Sequence, residues 1–174
     1  MNRPGGIRGN RPRLRGEVTS RPPLPAALPP PLPVHAFQTA GVPKKRVLFV
    51  CIGNSCRSQM AEAFARAYGS DVLWVQSAGL SPATIVAPLT KQMLEERSLK
   101  FDDQFPKPLD VLQREKFDLV VNMSGHPFTF PSGERVDWKV KDPIGQSVET
   151  YRTVAKQIEE LVMRLILDER NSRR

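Results

Sequence analysis

Residues 47–58 read VLFVCIGNSCRS. The first four are apolar, and three of these are β-branched or aromatic, which predicts a short buried strand. From Ser58 onward apolar residues recur with helical spacing, at Met60, Phe64, Ala67 and Tyr68. A cysteine therefore follows directly on a strand, and an arginine directly precedes a helix.

The segment 51–57 has the features of an oxyanion-binding loop. Gly53 and Asn54 tolerate positive φ, which lets successive N–H groups turn inward, and the N-terminus of the following helix attracts anions. The planar guanidinium of Arg57 suits two oxygens of a tetrahedral oxyanion. Cys51 is the predicted nucleophile, because helix N-termini and nearby cations stabilise a thiolate.

The rest of the loop is predicted to contact the substrate. The Ser58 hydroxyl is expected to donate to the Cys51 sulfur, and the other contacts are expected from Ile52, Gly53, Asn54, Ser55, Cys56 and Arg57. The alternative is a buried, inert cysteine beside a surface arginine. The strand before the loop and the helix after it favour the functional interpretation. A nucleotide P-loop fits poorly, because G-x-x-x-x-G-K-[ST] is absent.

Residues 51–63, CIGNSCRSQMAEA, resemble the active-site loop of the low-molecular-weight protein tyrosine phosphatases. They equally resemble that of the thioredoxin-coupled arsenate reductases, which share the same fold. Val50 stands where the larger tyrosine phosphatases carry histidine, and this favours the small family. The resemblance runs from about Arg46 to the C-terminal helix. It implies a four-stranded sheet with the cysteine loop after the first strand.

Strand-like and helix-like segments alternate in the remainder of the chain. Strands are predicted at residues 72–78, 117–123 and 136–140, and helices at residues 86–97, at 109–114 and from an N-cap at Ser147 to about residue 168. The last helix has an apolar stripe at Val148, Tyr151, Val154, Ile158, Leu161 and Leu165. This alternation predicts a three-layer α/β/α fold with a parallel sheet, and ligands bind at the carboxyl ends of such strands.

Asp142 is the predicted general acid. A departing oxygen needs a proton, and a carboxylic acid on a different loop can supply it. Asp142-Pro143 follows the last predicted strand, and the proline restricts Asp142 to an extended conformation. It also matches the Asp-Pro of the family, in which the aspartate acts as general acid and then activates water. The alternative is a plain Asp-Pro turn, and Asp137 is the reserve candidate.

Charge and proline content divide the 174-residue chain. Residues 1–46 hold nine Lys and Arg, one acidic residue and ten of the seventeen prolines, whereas the remainder carries seventeen basic and seventeen acidic groups. The net charge of +8 therefore belongs to the N-terminus and predicts no nucleic-acid partner. We expect a disordered extension at residues 1–44, a catalytic domain at 45–170 and a disordered tail at 171–174. A solvated extension or a mis-assigned start is favoured over a docking arm.

Other function classes are excluded by what the sequence lacks. No apolar run reaches the length of a membrane span, and prolines interrupt every candidate signal-peptide core. Two cysteines do not form a disulfide framework, so a cytoplasmic setting is expected. His35 and His126 are far apart, so we expect no metal centre and no cofactor. The expected partner is a phosphorylated protein or a small phosphate ester.

Two reactions fit the same loop. In a phosphomonoesterase, Cys51 attacks phosphorus and Asp142 protonates the leaving oxygen; in an arsenate reductase, Cys51 attacks arsenate and further thiols take up the oxidising equivalents. Gln59, where the phosphatases often have proline, resembles the reductases, as does Ser55. Ile144, like the glycine after it, stands where the tyrosine phosphatases commonly carry an aromatic residue.

The cysteine count favours the phosphatase. The relay thiols of the thioredoxin-coupled reductases lie after the third strand, where this chain reads MSGH at residues 123–126. We therefore expect a cysteine-dependent phosphatase that hydrolyses phosphomonoesters through a phosphocysteine intermediate. The alternatives are an arsenate reductase that uses an external thiol and a non-catalytic anion-binding module. Cys56 is either a partner for a reversible disulfide with Cys51 or a small residue that fills space behind the loop.

Overall fold

A computed structural model describes residues 43–174 of the protein. The predictions for residues 1–42, including His35, lie outside the described residues. The described chain has four strands and three α-helices, with no helix between the last two strands: β1 Lys45–Cys51, α1 Arg57–Gly69, β2 Leu73–Gly79, α2 Pro88–Glu95, β3 Leu119–Asn122, β4 Glu134–Asp137 and α3 Val148–Ser172.

The four strands form one parallel sheet in the order β2-β1-β3-β4, which confirms the predicted α/β class. Strand β1 is central and buried on both faces. Val47 and Phe49 point into one core, and Leu48 and Val50 point into the other. A parallel strand that is buried on both faces has a continuous run of apolar residues, and this run is the pattern that predicted β1.

The two faces of the sheet are covered unequally. Helices α1, α2 and α3 contribute to the larger core on one face. The other face is covered by a 3-10 helix, Leu109–Leu112, together with Phe117 and the partly buried Phe128 and Phe130. The short helix predicted at residues 109–114 is therefore this single 3-10 turn.

Helix α2 is shorter than the predicted span 86–97. Ala87 is extended, with φ −60° and ψ 137°, because the residue before a proline avoids the helical region, so the helix begins at Pro88. After its end Ser98 adopts a φ of 56°, which turns the chain away from the helix axis.

Strand β4 was predicted at residues 136–140 and lies earlier in the chain. Its position is decided by parallel backbone pairing with β3, which runs from Glu134 opposite Leu119 to Asp137 opposite Asn122. The strand is at the edge of the sheet and is mostly exposed, so apolar content is a poor guide to where its pairing begins.

The buried stripe of α3 drifts from the predicted one near its C-terminal end. Leu161 and Leu165 are only partly buried, whereas Val162 and Ile166 are fully buried. The reason is helical geometry: five turns of about 3.6 residues from Val148 reach residue 166 and not 165.

Helix α3 also extends past residue 170, where we placed the end of the domain. Residues 171–174, expected to be disordered, begin as its last turn. Two side-chain bonds of Arg173 explain this: its Nη2 donates to the Val72 carbonyl at 2.9 Å and its Nε to the Glu169 carboxylate at 3.0 Å.

The carboxyl ends of the strands bring three separate loops to one edge of the sheet. Strand β1 ends at Cys51, the chain after β3 begins at Met123, and the chain after β4 leads to Asp142. Among residues 43–174, no helix is both long and apolar enough to cross a membrane.

Candidate active site

The backbone of the loop between β1 and α1 is held by the segment that follows β2. Four loop carbonyls accept hydrogen bonds of 2.8–3.1 Å from this segment: Cys51 from Leu80, Ile52 from Ser81, Gly53 from Ala83 and Ser55 from Ala87. The amides of residues 53–56, by contrast, have no acceptor within the described part of the chain. They are available for an oxyanion at the N-terminus of α1.

Asn54 maintains the curl of this loop from behind. It is fully buried with a left-handed φ of 44°, a conformation that asparagine tolerates. Its side-chain oxygen accepts from the amide of Lys107 at 2.9 Å, and its nitrogen donates to the hydroxyls of Ser58 and Ser77, both at 2.8 Å. The side chain of Asn54 therefore braces the loop.

Hydrogen bonds behind the loop direct a proton toward Cys51. Its sulfur lies 2.9 Å from Ser58 Oγ, which already accepts from Asn54, so the Ser58 proton is free to point at the sulfur. Ser77 likewise accepts from Asn54 and donates to the buried carboxylate of Glu62. The arrangement supplies a donor to the thiolate form of Cys51.

Arg57 connects the loop to the predicted acid. Its Nη2 lies 2.5 Å from Oδ2 of Asp142, and its Nη1 donates to the carbonyl of Met123 at 2.6 Å. The Arg57 side chain is 5% exposed, against 40% for Asp142. Its Nε is buried without a partner among the described residues. An unpaired buried donor costs about 1–3 kcal/mol, so this nitrogen marks a place for an acceptor oxygen.

A cavity of about 220 Å³ opens between the loop and Asp142. Cys51, Arg57 and Asp142 all line it, so the structure brings the three predicted catalytic residues together. Four of the other predicted contact residues also line the cavity: Ile52, Gly53, Ser55 and Cys56. The remaining two, Asn54 and Ser58, are fully buried behind the loop. The roles assigned to all these residues stay predictions.

The second cysteine of the loop has different surroundings. Burial raises the pKa of the Cys56 thiol to about 12, against the smaller opposing effect of a hydrogen bond with Thr90. Desolvation also raises the pKa of Tyr151, whose hydroxyl interacts with Cys56. Cys56 is thus held as a neutral thiol, which favours the space-filling interpretation over a reactive one. Both cysteines are free thiols in the structure.

Three residues that support the loop were missed in the sequence. The buried Gln59 donates to two main-chain carbonyls at 2.9 and 3.0 Å, and Thr90 donates to the Ser55 carbonyl at 3.0 Å. Neither had a local signal, because their partners are set by chain packing. Ser77 did have a local signal in the sequence, because it lies near the end of the second predicted strand. In the structure it pairs with Phe49 of β1.

The reserve acid, Asp137, lies outside the oxyanion cavity. Its carboxylate accepts a hydrogen bond from the Asn122 side chain at 2.7 Å. With His126 it lines a neighbouring cavity, and Arg57 lines both cavities. Within the described chain, no group of three or more His, Cys, Asp or Glu is arranged to hold a metal ion.

Comparison with known proteins places this site in a family. Residues 46–173 match the family described as low molecular weight phosphotyrosine protein phosphatase. The chain is 39% identical over 128 residues to the glutaredoxin arsenate reductase of Synechocystis sp., covering 70% of this chain and 96% of that protein.

Solved structures of arsenate reductases and of a phosphatase also match this chain. An arsenate reductase in its phosphate-binding state matches with a TM-score of 0.65 at 37% identity, over 72% of this chain and 98% of the other. An arginine phosphatase of Geobacillus stearothermophilus matches with a TM-score of 0.61 at 27% identity, over 74% of this chain and 94% of the other.

These relatives contradict one prediction and confirm another. The expectation of a phosphomonoesterase was wrong, because the relatives at 36–39% identity are arsenate reductases. The lack of relay cysteines at residues 123–126 bears on the source of the reducing thiol and not on which oxyanion Cys51 attacks. The predicted family is confirmed: the chain belongs to the low molecular weight phosphotyrosine protein phosphatase family and is an enzyme of that superfamily.

Proposed function

We propose that the protein reduces arsenate to arsenite at Cys51 and uses an external thiol as the reductant. One observation carries the proposal: Cys51 and Arg57 line one cavity beside the free loop amides, in a chain whose relatives include arsenate reductases. The sequence contains two cysteines, and both lie in this loop.

The first step is attack of the Cys51 thiolate on arsenic(V). A sulfur–arsenic bond forms, and one arsenate oxygen leaves as water after protonation. Asp142 lines the cavity and is the residue we assign to deliver this proton. The free loop amides and the Arg57 guanidinium hold the remaining oxygens, where preorganised donors stabilise the developing charge.

The second step needs a thiol. Its thiolate attacks the Cys51 sulfur, and a sulfur–sulfur bond forms while the sulfur–arsenic bond breaks. The electron pair of the broken bond stays on arsenic, which leaves as arsenite. A second thiol then attacks the mixed disulfide and restores Cys51. Two thiols are oxidised to one disulfide while one arsenate is reduced by two electrons.

Cys56 is a poor candidate for the attacking thiol. Burial raises its pKa to about 12, so Cys56 remains a neutral thiol at pH 7. The thiolate and not the thiol is the nucleophile in disulfide exchange. We therefore assign the attack to a thiol from outside the chain.

Arsenite production is the direct test. Purified protein is incubated with arsenate and reduced glutathione at pH 7.5, and arsenite is quantified by chromatography with elemental detection. We expect turnover by the wild type and by Cys56→Ser, and none by Cys51→Ser. Absence of arsenite with glutathione, 2-mercaptoethanol and dithiothreitol alike would refute the proposal and leave an anion-binding module, which phosphate binding measured by calorimetry would reveal.

A further inference from the structure

A second cavity adjoins the oxyanion cavity at the same edge of the sheet. It has a volume of about 460 Å³ and lies between the segment 122–127 after β3 and the segment 135–140 around the end of β4. The side chain of Arg57 lines both cavities, so a molecule in the second cavity lies next to the arginine that faces the oxyanion. This volume is within the range of about 300–1,000 Å³ that is usual for small-molecule sites.

Positive charge predominates on the walls of this second cavity. Arg135 and Lys139 contribute two cations against one carboxylate, that of Asp137, while the charge of Arg57 is already paired with Asp142. The carboxylate already accepts a hydrogen bond from Asn122. The cavity is therefore suited to an anionic guest.

Two polar side chains of the cavity are available to a ligand. Both the ammonium of Lys139 and the imidazole of His126 lack a hydrogen-bond or ion-pair partner among the described residues. The loop tip beside His126 is open, because a Cβ at Gly125 would meet no atom within 4 Å.

We propose that this cavity binds the reductant, an anionic low-molecular-weight thiol of tripeptide size. The inference rests on the proposed function, because the thiol is the co-reactant which that function requires. The carboxylates of the thiol pair with Lys139 and Arg135, and its sulfur is directed past Arg57 toward Cys51. There its thiolate forms the sulfur–sulfur bond with Cys51, and the sulfur–arsenic electron pair departs with arsenite.

Binding is tested without any redox chemistry. S-methylglutathione keeps both carboxylates of glutathione but has no reactive thiol, so it is titrated by calorimetry into the wild type, Lys139→Glu and Lys91→Glu. Lys91 is an exposed residue of α2 and does not line the cavity, so its variant is a matched charge control. We expect Lys139→Glu to weaken binding at least tenfold and Lys91→Glu to leave it within twofold.

Kinetics then distinguish the binding site from the reaction itself. At saturating arsenate, Lys139→Glu should raise the KM for glutathione about tenfold and leave the rate with neutral 2-mercaptoethanol unchanged. Equal S-methylglutathione affinities in wild type and Lys139→Glu overturn the site, as does turnover that requires a protein thiol in place of glutathione. If no thiol yields arsenite while S-methylglutathione still binds in a Lys139-dependent way, the proposed function fails and the anion site stands.

Discussion

The two ends of the oxyanion loop give their cysteines opposite surroundings. At the β1 end, Cys51 faces a hydroxyl whose proton is directed at it by Asn54. At the α1 end, Cys56 is enclosed, and burial raises its pKa to about 12. Both thiols are only 2% exposed. We therefore expect their reactivities to differ because Ser58 offers a donor to the Cys51 sulfur, whereas the Cys56 thiol is mainly desolvated.

The largest test of this contrast replaces each cysteine in turn. Cys51→Ser should lower arsenate reduction at least about 10⁴-fold, since the bond-forming nucleophile is lost. Cys56→Ser should retain activity within about threefold, because its thiol stays neutral and forms no bond with arsenic. Steady-state arsenite formation measures both. Comparable losses in the two variants would mean that both thiols react.

The next test removes the bidentate donor. Arg57→Lys should reduce kcat/KM for arsenate about 10³-fold, because a single ammonium cannot bind two oxyanion oxygens as a guanidinium does. Arg152→Lys on the exposed face of α3 is the control and should behave like wild type. A small effect at Arg57 would show that the loop amides alone bind the substrate.

The assigned acid should have a smaller effect. Asp142→Asn should lower kcat about 10²-fold while the KM for arsenate changes little, since it removes a proton donor and leaves the loop amides intact. Asp102→Asn, an exposed carboxylate remote from the cavity, serves as control. A kcat of Asp142→Asn equal to that of the wild type would exclude the aspartate as general acid.

Alkylation of the thiols tests the hydrogen bond from Ser58 to the Cys51 sulfur. Iodoacetamide at pH 7 should modify Cys51 well before Cys56, and Ser58→Ala should slow the Cys51 reaction about tenfold by removing its hydrogen-bond donor. Peptide mass spectrometry over time gives both rates. Cys56 should become reactive only as the pH rises toward its pKa of about 12. Equal labelling of both cysteines at pH 7 would contradict the contrast.

The smallest effect concerns stability at high pH. The pKa of the Cys56 thiol is about 12 in the folded protein, against 9.0 for an unperturbed cysteine. The contribution of this pKa difference to the free energy of unfolding is therefore fully present below pH 9. That contribution is lost as the pH rises from about 9 through 12, because the unfolded chain then releases the proton more readily. Urea unfolding should show a steeper alkaline loss in wild type than in Cys56→Ser. Parallel curves for the two proteins would argue against the burial effect.

Prediction from sequence was most accurate where structure depends on neighbouring residues. Strand β1, the loop and α1 follow from an apolar run, Gly53, Asn54 and a helical period, all of which act locally. The errors fell on elements whose limits depend on distant partners. Strand β4 begins where β3 offers a backbone partner, and α3 ends where Arg173 reaches Val72.

The candidate site divides in the same way. The sequence could place Cys51 and Arg57 together because they lie on one continuous loop, and Asp142 beside them because it follows a strand at the same edge of the sheet; all three line one cavity. The bracing role of Asn54 was not recognisable. It depends on Ser77 in β2, which parallel pairing brings close although it is distant along the chain.

The amino-acid sequence alone determined the class of fold, the family and the position of a cysteine in a loop between a strand and a helix, because strand, glycine turn and helix are encoded within a few consecutive residues. Only the tertiary structure decided that burial raises the pKa of the Cys56 thiol, how Arg57 meets Asp142, and that a basic cavity lies beside them. These properties depend on burial and on hydrogen bonds between segments that are joined only when the sheet has formed.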